Sequence, residues 1–515
     1  MATQPSALVR LASIALPFVV SSFVCAQTSP QPSKPATAPA ALEPAGPNEP
    51  VITHHSGTFN GKHVDYEAIV EPIVVADPAG KPAARLVPIA YLSISEAEPS
   101  KRPVLFVFNG GPISPSSVLH MGALGPKRVA IPDDLTADPG HFQTVDNPYT
   151  VLDVADIVFF DPAGTGFSRV LPGVEPKSYF SVTADGQQLA QLIVEWSRKH
   201  QRTDSPKYLF GESYGTMRAA ATANQLQKLA TPLPLAGVVL MGQALNIIEF
   251  SQRPANVTSY VVSLPTLAAI AWSHGKAHTH GQSFDRFIQN VERFARTEYL
   301  TALFQGSALD QPTRKRIAAR LEEYTGIPAS WYLDNALRIT KERYRRELFK
   351  DQKEILGMTD ARYIGSATES GGGYDPAEVT YNAYEAAFST YLHGELGVGN
   401  VGAYVTKSPV HSFEGWQWNG TGTSPFADWP YTSLLAEVFA ANPRFRVLIA
   451  NGWQDTQTTV GAAQLALDQS GWPSDRVSLH FYQGGHMAYT IEASLRQLDQ
   501  DVRRFLTSET DGRHP

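Results

Sequence analysis

Ser213 stands between two glycines in Gly211-Glu212-Ser213-Tyr214-Gly215, after the short apolar run "KYLF" and before the helical pattern "MRAAATANQLQ". This spacing suits a nucleophile on a sharp strand-to-helix turn, where larger flanking side chains would clash. A serine hydroxyl needs a base to take its proton, and the base needs a carboxylate to orient it. Asp455 follows the apolar run "RFRVLIANGWQ", and His486 follows "VSLHFYQGG". Each also has a plainer reading: Asp455 as the cap of the next helix, His486 as a hydrogen-bonded loop histidine. Three suitable residues in the order serine, acid, histidine, each after an apolar run, favour the chemical reading of all three. The negative oxygen formed when serine attacks a carbonyl needs two backbone N–H groups. Tyr214, next to the serine, should supply one. The turn Asn109-Gly110-Gly111-Pro112 should supply the other, through Gly111.

Residues with these tasks must be held at the ends of strands. "PVLFVFNGG", "ADIVFFDPAGTG", "KYLFGESYG", "LAGVVLMGQ" and "RFRVLIANGWQD" are short apolar runs that end in turns. That is the pattern of parallel strands buried on both faces. Helical patterns such as "ADGQQLAQLIVEWSRKH" lie between them, so the expected class is an α/β fold with a parallel sheet. Two early segments, "GTFNGKHVDYEAIVEPIVV" and "RLVPIAYLSI", read as antiparallel strands. From 251 to 424 the pattern becomes amphipathic helices without apolar strands, as expected for a helical cap inserted between a first core part, 51–250, and a second, 425–515.

At the N-terminus Arg10 precedes an apolar run from Leu11 to Val24, and small residues lie around "VCA". This reads as a secretory signal cut after Ala26, since the run is shorter than the roughly 20 residues that span a bilayer. Residues 27–50, rich in Pro and Ala, read as an extended tether. The expected location is the periplasm or the medium, without stable membrane insertion. Cys25 is the only cysteine and lies in the signal, so cysteine catalysis, thiolate-bound zinc and a disulfide framework are excluded for the processed chain. The 515 residues are 43% apolar and 18% charged, enough for a large core. A net charge of -7 and the lack of a basic run argue against nucleic acid as a partner. His274, His278 and His280 cluster without nearby carboxylates and read as a polar loop, so no metal or other cofactor is expected.

Together, "FNGGPISPSS", "DNPYTVLDVADIVFFDPAGTGFS", "LFGESYG", "VLIANGWQD" and "GGHMAY" resemble the serine carboxypeptidase family, peptidase family S10, in its bacterial branch. The resemblance runs in order from about residue 55 to 505. It implies an α/β-hydrolase fold with a cap, a Ser213, Asp455, His486 triad, and an oxyanion hole from Gly111 and Tyr214. It implies release of C-terminal residues from peptides with a free C-terminus, through an acyl-enzyme. It also implies that Asn109, Gly110 and Glu212 hold the substrate's terminal carboxylate. There are two departures. Family members place a second Glu just before "LGP", where this chain has Ala123, and Ile113 replaces the last glycine of "GGPG". Two carboxyls sharing a proton make one a neutral donor at acid pH, and with Ala123 that pair is absent. Ile113 lacks glycine's freedom, so the turn is expected to differ. Lys127 and Arg128 offer replacement cations, although cations after a turn are ordinarily solvated. The altered carboxylate end motivates a second reading, the same machinery used on esters or for acyl transfer. A catalytically dead binding protein would show a lost triad member, and none is lost.

Overall fold

Five apolar residues in a row, Val104–Phe108, have every side chain fully buried, and this strand lies near the middle of the sheet. In the computed structural model of the chain, residues 45–508 are described, apart from 78, 95–97, 370–373, 411–414 and 420–428. The expected signal segment, and the tether up to residue 44, lie outside the described residues.

The main sheet is built from β1 (Val51–Phe59), β2 (Lys62–Val70), β3 (Ile89–Ser93), β4 (Val104–Phe108), β5 (Asp156–Phe159), β6 (Lys207–Glu212), β7 (Gly237–Met241), β8 (Arg446–Gly452) and β9 (Val477–Tyr482). Their order across the sheet is β1-β2-β3-β5-β4-β6-β7-β8-β9. From β5 to β9 all neighbours are parallel, and β1, β2 and β3 join antiparallel at one edge. The central strands are buried on both faces because helices cover both, whereas edge strand β1 alternates between half-buried and exposed. Each apolar side chain buried there contributes about 1.5–3 kcal/mol.

Two hydrophobic clusters lie on the two faces. One takes Leu189, Ile193 and Trp196 of α1 (Val182–Lys199) and Met217 and Ala220 of α2 (Gly215–Gln227). A third cluster is mostly helical. It joins Leu264 and Leu267 of α3 (Val257–Ser273), Phe287 and Val291 of α4 (Phe284–Phe294), and Ile317 and Leu321 of α5 (Gln311–Thr325). This is where the sequence pattern places a cap. Helix α6 (Glu378–Gly394), from the same stretch, packs differently: Tyr384, Phe388 and Tyr391 belong to the opposite sheet-face cluster, together with Leu495 and Leu498 of α7 (Glu492–Thr507). A mostly parallel sheet flanked by helices, with a helical insertion before its last two strands, is an α/β-hydrolase fold. Among the described residues, no helix is long and apolar enough to cross a membrane.

Candidate active site

The C-terminal ends of four parallel strands meet at one place, where an open α/β sheet puts its ligand site. Gly211 pairs with Phe108 across β6 and β4, so the turn after β4, Asn109 to Ile113, lies beside the turn after β6. Ser213 sits at φ +61°, a left-handed conformation costly for a residue with a side chain. The turn is held by the Ser213 N–H donating to the Met241 carbonyl at 2.8 Å and by the Thr216 hydroxyl donating to the Ser213 carbonyl at 2.8 Å. Gly211 is required because a Cβ there would lie 2.3 Å from the Gly215 carbonyl oxygen. Gly110 is required for the same kind of reason, with a Cβ 2.7 Å from the Tyr214 nitrogen.

Asp455, in the loop after β8, is fully buried. It accepts from the Gln457 N–H at 2.7 Å, the Thr458 N–H at 3.1 Å and the Thr458 hydroxyl. His486, after β9, donates Nδ1–H to Asp455 Oδ2 at 2.7 Å, and its own N–H donates to the Thr359 carbonyl at 2.6 Å. With Nδ1 so engaged, Nε2 is the nitrogen left to accept a proton. Burial alone would lower the His486 pKa, but the charge and hydrogen bond of Asp455, with Glu212 and Asp375 beyond, push it up to about 9. Ser213 and His486 line the same cavity of about 330 Å³.

The other expected residues are there too. Asn109, Gly110, Gly111 and Glu212 line this cavity. Among the described residues neither the Gly111 nor the Tyr214 N–H has a protein acceptor, so both are available to an incoming oxygen. Tyr214 is fixed from below: its hydroxyl donates to Asp185 at 2.8 Å. Arg218, fully buried, donates to the same carboxylate at 2.7 Å and to the Asn109 carbonyl at 2.6 Å. Arg218 thus ties both turns together without touching the cavity, a packing role. Trp416 and Trp418 stack edge-on against the Tyr214 ring rather than line the cavity.

Other readings are corrected by the structure. Ile113 stands in the left-handed region that favours glycine. It adopts φ +51° and is fully buried, so packing holds a β-branched residue where it is ordinarily an outlier. Lys127 pairs with Asp146 at 2.6 Å and Arg128 with Glu492 at 3.0 Å, and neither lines the cavity. Among the described residues no metal-ligand cluster exists, and His274 bonds to the Ala361 carbonyl at 2.7 Å. The sequence reading missed Thr359, Tyr381, Glu385, Thr406 and Gln457, which also line the cavity. It also missed Tyr489, whose hydroxyl donates to Glu212 at 2.6 Å. Tyr489 lies three residues after His486, on the short turn that follows it.

Residues 91–253 match the family model described as serine carboxypeptidase. No curated protein matches the chain. Among solved structures, Kex1(Δ)p, a prohormone-processing carboxypeptidase from Saccharomyces cerevisiae, aligns with a TM-score of 0.53 at 13% identity, covering 87% of this chain and 93% of that one. A proline iminopeptidase from Mycobacterium smegmatis aligns with a TM-score of 0.34 at 14% identity, covering 88% and 97%. A homoserine O-acetyltransferase from Bacillus anthracis gives 0.33 at 12%, covering 90% and 98%. At these identities the first of the three supports the fold, and the family match supports a hydrolase of the serine carboxypeptidase kind.

Proposed function

We propose that this chain is an exported serine carboxypeptidase of the bacterial branch, releasing C-terminal residues from peptides through an acyl-enzyme. The observation that carries the reading is a single cavity lined by Ser213, His486, Asn109, Gly110 and Glu212. The match over residues 91–253 supplies the class. The signal pattern of residues 1–26 supports the periplasm or the medium as the place of action.

His486 Nε2 takes the proton from Ser213 Oγ as Oγ bonds to the scissile carbonyl carbon. The carbonyl oxygen gains the electron pair and is met by the N–H groups of Gly111 and Tyr214. When the intermediate collapses, the C–N bond breaks and the imidazolium gives its proton to the leaving nitrogen. The departing residue keeps its carboxylate against Asn109, Gly110 and Glu212. Water then attacks the acyl carbon with His486 as base, the C–Oγ bond breaks, and Ser213 recovers its proton. Asp455 keeps Nδ1 protonated and compensates the charge on the imidazolium.

Ala123 favours one alternative, that the same machinery acts on esters or transfers acyl groups. The experiment is mass spectrometry of a blocked peptide incubated with the enzyme and with Ser213→Ala. Stepwise loss of C-terminal residues, absent in the variant, is the expected result. An intact peptide alongside rapid ester hydrolysis would move the assignment to the alternative.

A further inference from the structure

Glu212 is 2% exposed, and its carboxyl accepts on both oxygens. Asn109 Nδ2 donates to Oε1 at 2.8 Å, and the Tyr489 hydroxyl donates to Oε2 at 2.6 Å. Both donors are neutral, and among the described residues no Lys or Arg is paired with this carboxyl. Tyr489 comes from the turn just after His486 and is itself 2% exposed. Its ring lies hard against Gly122, where a Cβ would be 2.6 Å from the ring edge. Beside it is Ala123, which offers only a methyl group where the family resemblance places a second glutamate.

We infer that Tyr489 is a positioning residue for Glu212, its hydroxyl standing where a second carboxyl would otherwise share the proton. The inference rests on the carboxypeptidase reading, because it assigns Glu212 to the substrate's terminal carboxylate. Two carboxyls in contact titrate as a pair. A carboxyl and a phenol do not: burial and the charge of Glu212 hold the Tyr489 hydroxyl well above its ordinary range. Glu212 is therefore the member of this pair that titrates.

The ionisable groups facing it come from several elements: Tyr489 and His486 after β9, Asp455 after β8, and Tyr381 and Tyr384 on α6. Burial raises the Glu212 pKa. The charge of His486 and the hydrogen bonds from Tyr489 and Asn109 pull it back, and Asp455 raises it. Protonated Glu212 donates to a substrate carboxylate, and ionised Glu212 repels it. Binding of free-acid substrates should therefore fail on the alkaline side as Glu212 ionises. Removing the Tyr489 hydroxyl removes one influence that favours ionisation, so Glu212 should keep its proton to higher pH.

The test uses Tyr489→Phe, which keeps the ring against Gly122. The Glu212 midpoint is read by infrared titration of the protonated-carboxyl band, assigned by its loss in Glu212→Gln. In the wild type, one midpoint is expected. A two-step titration typical of a shared proton would overturn the inference without any variant. In Tyr489→Phe the midpoint should rise by about one pH unit, the scale of one hydrogen bond to a carboxylate. The alkaline rise in KM for a blocked dipeptide free acid should move with it, at similar kcat, and should not occur for the amidated dipeptide. A midpoint that stays or falls, or equal changes for both peptides, would overturn the inference. A wild type that does not prefer the free acid would instead sink the carboxypeptidase reading, and the infrared midpoint alone would then decide the role of Tyr489.

Discussion

Asp455 and Glu212 are both buried carboxyls whose charges act on His486, and their neighbourhoods differ. Asp455 is caged by two backbone amides, a hydroxyl and the imidazole. Glu212 has one side-chain amide and one phenol, and it lines the cavity. The cage holds Asp455 in one orientation with its charge directed at the histidine, raising the His486 pKa to about 9. The sparse shell of Glu212 leaves burial to raise its pKa and leaves its outer edge to a substrate. In the proposed mechanism one carboxyl serves the proton transfer and the other serves recognition, and the number and charge of their donors are what separate the two roles.

Substitutions can break each half of that contrast. Ser213→Ala should lower kcat by about 10⁵–10⁶-fold and abolish fluorophosphonate labelling, whatever substrate is used. Labelling that persisted would name another nucleophile. Asp455→Asn should cost about 10⁴-fold in kcat, since Nδ1 loses the acceptor that fixes its tautomer. The same change should lower the His486 pKa, visible as an acid limb of kcat/KM moved down from about 9. Glu212→Ala should act on the other half alone: KM for free-acid peptides should rise about 10- to 100-fold, with amidated peptides little affected. Equal loss on both would deny it a recognition role. The smallest effect is on stability. The folded His486 pKa of about 9 lies above its ordinary 6.5, so the pair contributes fully below pH 6.5. That contribution fades as pH rises through 9, so Tm should fall over this interval, and fall less in Asp455→Asn.

The half around Ser213 was the more legible one. Its chemistry follows short apolar strands, and the glycine at 211 records a backbone approach that admits no side chain. Asp455 and His486 could be read from their places after β8 and β9. The half around Glu212 was read as a loss, because Ala123 showed what was missing. Tyr489 reaches Glu212 across 277 residues of chain, a contact that neither periodicity nor spacing encodes. Ile113 shows a physical effect of the same kind: burial in a tertiary cluster outweighs its local preference. Helix α6 carries a helical pattern like that of the cap, and only the choice of packing partner places it on the sheet.

The most direct measurement is the ratio of kcat/KM for a blocked dipeptide with a free C-terminal carboxylate to that for its amide, followed from acid to alkaline pH. The account predicts a strong preference for the free acid that declines on the alkaline side as Glu212 ionises. A ratio near or below one at every pH, with simple esters turned over readily, would contradict it.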